Sequence, residues 1–180
     1  MMDRRASTGD WNLLGAKRDP QTARRDPRGA VEQNIQGVFL RTYDPVVTSY
    51  GRLSEILRSE WLGDNKTVDQ IFVSSLRPGK ASAWHAHEVA TDRLFAVNGT
   101  LLVALYDNRP GSPTRGVVQD FTLGTDNQSI LIIPPKIWHG IKNISSEDVQ
   151  IINAVDIAYV YENPDHWRLP PDTDEIPFRF

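Results

Sequence analysis

The chain has 180 residues, a formal net charge of -3 and no cysteine. The slight acidic balance argues against a nucleic-acid partner, and the absence of thiols excludes disulfides and thiolate catalysis. No stretch of about 18 apolar residues occurs, so no membrane span is expected. We therefore expect one domain with one sizeable core, in the reducing cytoplasm.

The amino-terminal segment, residues 1–30, is rich in Arg, Asp, Pro and Gly and has no apolar periodicity. It predicts a flexible arm, which leaves a single domain over 31–180. Residues 35–62 carry apolar anchors, which predict early strands and one short turn of helix.

Short apolar runs separated by turn residues dominate the chain from residue 68 onward. Asn98-Gly99 follows one such run and is typical of a β-hairpin turn. Residues 149–161 predict one long strand, and residues 164–180, which contain four prolines, predict ordered coil or a short helix. Many short strands without helical periodicity indicate an all-β sandwich or barrel.

Three of the four histidines lie in two patterned segments. His85 and His87 are two residues apart, so on a β-strand their side chains point to one face. His139 lies in a later segment, after Pro134-Pro135. We expect the three imidazoles to meet on the inner face of the barrel, whereas His166, in the proline-rich tail, is expected to be structural.

The spacing around these histidines resembles the two cupin motifs. Gly-x5-His85-x-His87-x4-Asp92-x6-Gly is similar to the first motif, with Asp92 where glutamate is usual, and Pro-x4-His139-x3-Asn is similar to the second. The resemblance implies an all-β cupin jelly-roll barrel with an N-terminal extension and a C-terminal coil or short helix. It also implies a homodimer.

A narrower resemblance involves the segments 107–114, 133–140 and 161–172, which are similar to parts of dTDP-4-dehydrorhamnose 3,5-epimerases. This resemblance implies an epimerase or isomerase of a 4-keto-6-deoxy sugar on a nucleoside diphosphate, working without a cofactor. The His-Ala-His triplet at 85–87 is also similar to the cupin sugar 3,4-ketoisomerases, which act on a related 4-keto nucleotide sugar.

The epimerase resemblance implies roles for individual residues. His85 would be the base that removes the proton beside the ketone, and Asp172 would orient its ring. Arg93 corresponds to the family's lysine near the enolate oxygen. The family's tyrosine acid corresponds to Ile152, which cannot donate a proton. Two later tyrosines are candidate replacements: Tyr159 and Tyr161.

Several further residues are expected to contact the substrate. The two tryptophans of the set could equally fill the barrel core, and Arg109 could instead form a surface ion pair. The candidate substrate-binding residues are His87, Arg93, His139, Trp84, Trp138, Arg109 and Lys142.

Two other function classes remain open at the level of sequence. Three imidazoles and one carboxylate can bind Fe, Mn, Ni or Zn, and His85, His87, Asp92 and His139 have the spacing of a metal-dependent cupin dioxygenase or isomerase. Asp92 is shorter than glutamate by about one C–C bond, which weakens this alternative. The third class is a non-catalytic sugar-nucleotide binder.

Overall fold

The computed structural model describes residues 29–62 and 67–180. The arm predicted over 1–30 therefore lies almost entirely outside the described residues. Within the described ranges, no helix is long and apolar enough to cross a bilayer. The elements are β1 (Val31–Glu32), β2 (Phe39–Thr42), β3 (Val46–Thr48), β4 (Gly51–Leu53), a 3-10 turn (Ser59–Trp61), β5 (Gln70–Leu76), β6 (Ala81–Ala86), β7 (Asp92–Ala96), β8 (Thr100–Asp107), β9 (Val118–Gly124), β10 (Ser129–Ile133), β11 (Ile137–Asn143), β12 (Val149–Val155) and β13 (Trp167–Arg168).

The described strands form two main antiparallel sheets. One sheet has six strands in the order β1-β2-β10-β7-β12-β5, and the other has five in the order β13-β6-β11-β8-β9. β3 and β4 pair separately. The all-β architecture predicted from the short apolar runs is therefore confirmed, as are the early strands and the helical turn over 35–62.

The core lies between the two sheets because alternate residues of each strand point inward. On β8 these are Leu101, Val103 and Leu105, and on β12 they are Val149 and Ile151. These side chains are at most 1% exposed. The strands thus enclose an apolar interior.

A chain extension covers part of the outer face of each sheet. Tyr43 and Trp61, from the segment before β5, pack on Phe95 of the six-stranded sheet. On the five-stranded sheet, Trp84 packs against Phe178 and other tail residues. The tail is coil and turns with the short strand β13, which settles the alternative between coil and helix in favour of coil.

Two predictions from local sequence are wrong. Asn98-Gly99 does not close a hairpin, because β7 lies in the six-stranded sheet and β8 in the five-stranded one. Gly99 supplies the positive φ of 61° that the reversal needs, but a turn signal does not determine which strands pair. The long strand over 149–161 ends at Val155, after which Asp156 accepts a hydrogen bond from the Thr91 N–H at 2.7 Å.

Candidate active site

A polar cluster replaces the apolar core at one end of the barrel. Asp92 points inward from β7, as Leu94 does, and Asn153 points inward from β12, as Ile151 does. His139 is an inward-facing residue of β11. Because residues two apart share a face of a strand, the same alternation that buries the core delivers these side chains to one place.

The structure brings His85, His87 and His139 together. His85 on β6 is directly opposite His139 on β11, and their ring centroids are 4.0 Å apart. His87 follows the end of β6, and its ring lies 5.7 Å from that of His85 and 5.9 Å from that of His139. The i, i+2 spacing predicted that His85 and His87 share a face, and the pairing of β6 with β11 brings His139 beside them.

Asp92 is the carboxylate of this cluster. Its Oδ2 lies 3.0 Å from His139 Nε2 and 3.3 Å from His87 Nε2, and its Oδ1 accepts a hydrogen bond from Asn153 Nδ2 at 2.6 Å. Burial favours the neutral acid, but the hydrogen bonds and charges of His139 and His87 outweigh burial. The pKa of Asp92 is therefore held well below its usual value, and the group is a carboxylate.

The tautomers of two histidines follow from backbone contacts. His139 Nδ1 lies 3.0 Å from the carbonyl oxygen of Ile137, and His87 Nδ1 contacts the carbonyl oxygen of Asp165. A carbonyl has no hydrogen to donate, so in both rings Nδ1 carries the proton and donates it. The Nε2 atoms of both rings consequently face Asp92.

His85 differs from its two neighbours. Its Nδ1 is buried and has no hydrogen-bond partner within the described part of the chain. Burial is the main reason that the pKa of His85 lies well below its ordinary value, and the charge of His139 adds to this effect. His85 is therefore a neutral imidazole at neutral pH, and its buried Nδ1 has no partner among the described residues.

The C-terminal tail contributes a fourth imidazole that sequence reasoning missed. The ring of His166 lies 5.1 Å from the rings of both His85 and His87. Its neighbour Asp165 fixes the tail in place, because its carboxylate accepts the consecutive N–H groups of residues 88, 89 and 90 at 2.6, 3.0 and 3.1 Å. No local spacing marks His166, and only the return of the tail across the barrel reveals it.

A pocket of about 320 Å³ opens beside His87. Its walls combine two indole rings with two cationic side chains, a lining that suits a flat base and an anionic group. The N–H of Lys136 donates to the His87 carbonyl oxygen at 2.6 Å, so the pocket wall and the cluster are directly connected. The lining residues are Ala86, His87, Glu88, Asn108, Arg109, Pro110, Lys136, Trp138 and Trp167.

Residues 32–176 match the family model described as dTDP-4-dehydrorhamnose 3,5-epimerase. The chain belongs to this epimerase family. It is accordingly an enzyme of the sugar-epimerase class, and the non-catalytic alternative is set aside.

Individual proteins agree with this assignment. A probable low-salt glycan biosynthesis epimerase of Haloferax volcanii is 36% identical over 140 residues, which cover 77% of this chain and 90% of that protein. The structure of a dTDP sugar isomerase from Desulfovibrio desulfuricans superposes with a TM-score of 0.76 at 29% identity, covering 83% of this chain and 94% of the other. The structure of a Bacillus anthracis dTDP-4-dehydrorhamnose 3,5-epimerase, determined with TDP and PPi bound, gives a TM-score of 0.73 at 20% identity. The match covers 83% of this chain and 87% of the other. The cupin jelly-roll prediction is thus confirmed.

Arg93 was expected to replace the epimerase family's lysine in the cavity. It lies on the face of β7 opposite to that of Asp92. Strand alternation places it with Phe95 on the outer side of the sheet, where its guanidinium is 3.8 Å from Asp156. The inward position belongs to Asp92. Ile152, the residue that corresponds to the family's tyrosine, likewise lies on the outer face of β12, because it is directly opposite Phe95. Asn153 is the β12 residue that faces the cluster.

Trp84 and Lys142 also lie outside the pocket lining. Trp84 precedes His85, so it points to the other face of β6, where it is 0% exposed and packs against the tail. Lys142 alternates with the inward Ile141 and therefore lies on the outer face of β11. Trp138, in contrast, does line the pocket.

Three tail residues proposed for proton chemistry lie on the surface. Asp172 is exposed in a turn after β13, and the carboxylate beside the histidines is Asp92 instead. Tyr159 is 48% exposed and Tyr161 81% exposed, and their rings pack on each other at 5.4 Å.

Arg109 has a structural contact as well as a place in the pocket wall. Its Nε and Nη2 donate to the two carboxylate oxygens of Asp107 at 2.9 and 2.8 Å, and Nη2 also donates to the Gln36 carbonyl. The structure shows the ion pair, with a buried partner, whereas contact of Arg109 with a substrate stays a prediction. The bidentate pair holds the guanidinium in a fixed position at the pocket edge.

Proposed function

We propose that the chain epimerises a 4-keto-6-deoxy sugar attached to a nucleoside diphosphate, by proton transfer beside the ketone. The observation that carries this proposal is the cluster of His85, His87, His139 and Asp92, which lies next to a pocket with indole and cationic walls. Membership of the epimerase family supports the substrate class.

His85 is the base in this proposal. Its Nδ1 has no partner among the residues described here, so this nitrogen is free for a substrate proton. The α-proton moves to the imidazole, the electron pair of the broken C–H bond forms the C=C bond of the enolate, and the carbonyl π pair moves to oxygen. A proton from water adds to the opposite side of the same carbon and gives the epimer, and the imidazolium of His85 returns its proton to solvent. Because the ketone itself makes the α C–H acidic, the step needs no organic cofactor.

The pocket beside His87 binds the nucleoside diphosphate in this proposal. Trp138 and Trp167 offer flat surfaces to a nucleobase, and Arg109 and Lys136 offer positive charge to the diphosphate. The Bacillus anthracis relative binds TDP and PPi, which are the same chemical groups. This placement leaves the sugar next to the histidine cluster.

Proton exchange measured by NMR in deuterated water tests the function directly. The protein is incubated with a panel of dTDP-linked 4-keto-6-deoxy sugars, and deuterium incorporation at C3 and C5 is followed together with the appearance of epimers. We expect incorporation at one or both carbons with at least one sugar. The complete absence of exchange with every sugar would refute the proposal.

We also propose a cytoplasmic homodimer. β5 is an edge strand of the six-stranded sheet, and its side chains Ile71 and Val73 are 63% and 64% exposed. An exposed apolar edge is a template for pairing with another strand, and a second copy would cover it. Sedimentation velocity is expected to give the mass of two chains, and a Val73→Lys variant is expected to give one. A parent protein that sediments as one chain at all concentrations would contradict the dimer.

A further inference from the structure

We infer that Phe72 forms the contact surface for the C6 methyl group of the sugar and thereby favours 6-deoxy sugars over sugars with a 6-hydroxyl group. The inference takes its substrate class from the proposed function and adds a residue that determines specificity within that class. Phe72 belongs to neither of the two histidine motifs, and it does not line the pocket beside His87.

Strand register places the side chain of Phe72 beside the histidine cluster. Phe72 is directly opposite Asn153 in the pair of β5 with β12, so the two side chains share one face, with their Cβ atoms about 4.5–5.5 Å apart. Asn153 is also opposite the inward-facing Leu94 of β7, and its amide donates to Asp92. The ring of Phe72 therefore lies on the inward face of the sheet, beside the amide that holds the carboxylate of the cluster.

The connection between β5 and β6 sets the height of Phe72 relative to the base. β5 ends at Leu76 and β6 begins at Ala81, and the two strands belong to different sheets. Phe72 lies four residues before the end of β5, and His85 lies four residues after the beginning of β6. The two side chains are therefore at similar heights on facing sheets, which usually pack about 10 Å apart. A sugar carbon that reaches His85 lies at the height of Phe72.

The inward face of β5 is uncovered at this height. Phe72 is 42% exposed and Ser74 is exposed, whereas Leu76, next to the connection, packs against the core. Pairing of the β5 edge with a second chain uses main-chain groups and leaves this face as it is. The ring of Phe72 is thus apolar surface that a ligand entering the cluster can cover.

The proposed substrate has one apolar substituent, the methyl group on C5. The residues of the cluster offer it imidazole, carboxylate and amide groups. A methyl group packed against these groups removes water from them without replacing its hydrogen bonds. Packed against the phenyl ring of Phe72, it buries apolar area on both partners. This contact leaves the polar groups of the cluster for the ketone and the hydroxyl groups of the sugar.

A 6-hydroxyl group is disfavoured at the same place because Phe72 has no side-chain polar atom to replace the water that the hydroxyl loses. A sugar that lacks C6 altogether loses the apolar contact. One carbon more or less in an apolar contact changes affinity by about 10-fold or more, and an apolar surface rejects an added hydroxyl only to a similar, moderate extent. We therefore expect a preference for the methyl group of about 10-fold over each alternative.

Binding of ligands that do not react tests this inference without turnover. The ligands dTDP-6-deoxyglucose, dTDP-glucose and dTDP-xylose share one nucleotide and lack the ketone. They carry a methyl group, a hydroxymethyl group and a hydrogen atom at C5. Dissociation constants are measured by isothermal titration calorimetry. The parent is expected to bind dTDP-6-deoxyglucose about 10-fold more tightly than either of the other two.

Substitution of Phe72 assigns the preference to this residue. Phe72→Ser is expected to weaken the binding of dTDP-6-deoxyglucose by about 10-fold and to leave that of dTDP-xylose within about twofold of the parent. Phe72→Leu keeps an apolar side chain and should retain most of the preference. Tyr161→Ser is the matched control, because Tyr161 is an aromatic residue that is 81% exposed on the surface. It should bind all three ligands as the parent does, and circular dichroism checks that every variant folds.

Three outcomes would overturn the inference. The parent could bind the three ligands equally or bind none of them. Phe72→Ser could keep the preference for the methyl group. The same variant could weaken the binding of all three ligands equally, which would indicate a general effect on the site instead of a contact with the methyl group.

These outcomes are distinct from those of the proton-exchange experiment. Exchange with a 4-keto sugar but no preference for the methyl group would overturn the role of Phe72 and leave the proposed function intact. Selective binding that depends on Phe72, without exchange of any 4-keto sugar, would count against the proposed function and leave the role of Phe72 intact.

Discussion

Replacing His85 with glutamine is expected to lower the rate of α-proton exchange by about 10³-fold, the contribution typical of a positioned general base. Glutamine has a similar size and can fill the space beside His139, but it cannot accept a proton at neutral pH. Exchange is measured by NMR in deuterated water with the sugar that the parent enzyme turns over best.

Two measurements on the same variant separate loss of the base from loss of structure. The melting temperature of His85→Gln should stay close to that of the parent. Its circular dichroism spectrum should also match that of the parent, since glutamine occupies a similar volume. A variant that exchanges at the parental rate would remove His85 from the role of base.

Replacing Asp107 with asparagine is expected to destabilise the fold by about 3 kcal/mol at pH 7, as for removal of one partner of a buried charged pair. The Asp107 side chain is 0% exposed and accepts hydrogen bonds from Arg109, Ser112 and Thr114. Burial would raise the pKa of Asp107, but these hydrogen bonds outweigh it and lower the pKa well below the usual value.

The sign of the pH dependence follows from this shift. A carboxyl group with a lowered pKa in the folded state stabilises the fold above the unfolded pKa of about 4, and this contribution is lost as the pH falls. The difference in the free energy of unfolding between the parent and Asp107→Asn should therefore become smaller below about pH 4. It is measured by urea unfolding at a fixed protein concentration over a series of pH values.

Asp120→Asn is the control for that experiment, because Asp120 is an exposed acid on β9 of the same sheet. Its substitution should change the free energy of unfolding by no more than about 0.5 kcal/mol. Equal effects of the two substitutions would show that the hydrogen bonds of Asp107 do not contribute as described.

Strand alternation explains which parts of the site could be foreseen. His85 and His87 are two residues apart, so period two alone predicts that they share a face. The correspondence of Arg93 and Ile152 to the family's lysine and tyrosine came from the resemblance to the epimerases, and strand alternation puts both side chains on the outer face. Their inward-facing neighbours, Asp92 and Asn153, occupy the cluster. A shift of one residue moves a side chain to the other face of a sheet.

Contacts between distant segments could not be read in this way. Asn98-Gly99 indicated a reversal, but the pairing partners of β7 and β8 depend on hydrogen bonds to strands far along the chain. His166 enters the cluster because Asp165 binds the N–H groups of a turn more than 70 residues earlier. No local pattern encodes such a contact.

The sequence by itself determined the all-β class, the presence of a histidine site and the likeness to the epimerases, because these depend on short-range periodicity and on motif spacing. Only the tertiary structure decided that Asp92 is the carboxylate of the cluster, which nitrogens face it, and that Asp172, Tyr159 and Tyr161 lie on the surface. Those features depend on which strand faces which and on how the tail returns across the barrel. Such long-range packing is not encoded in any single segment.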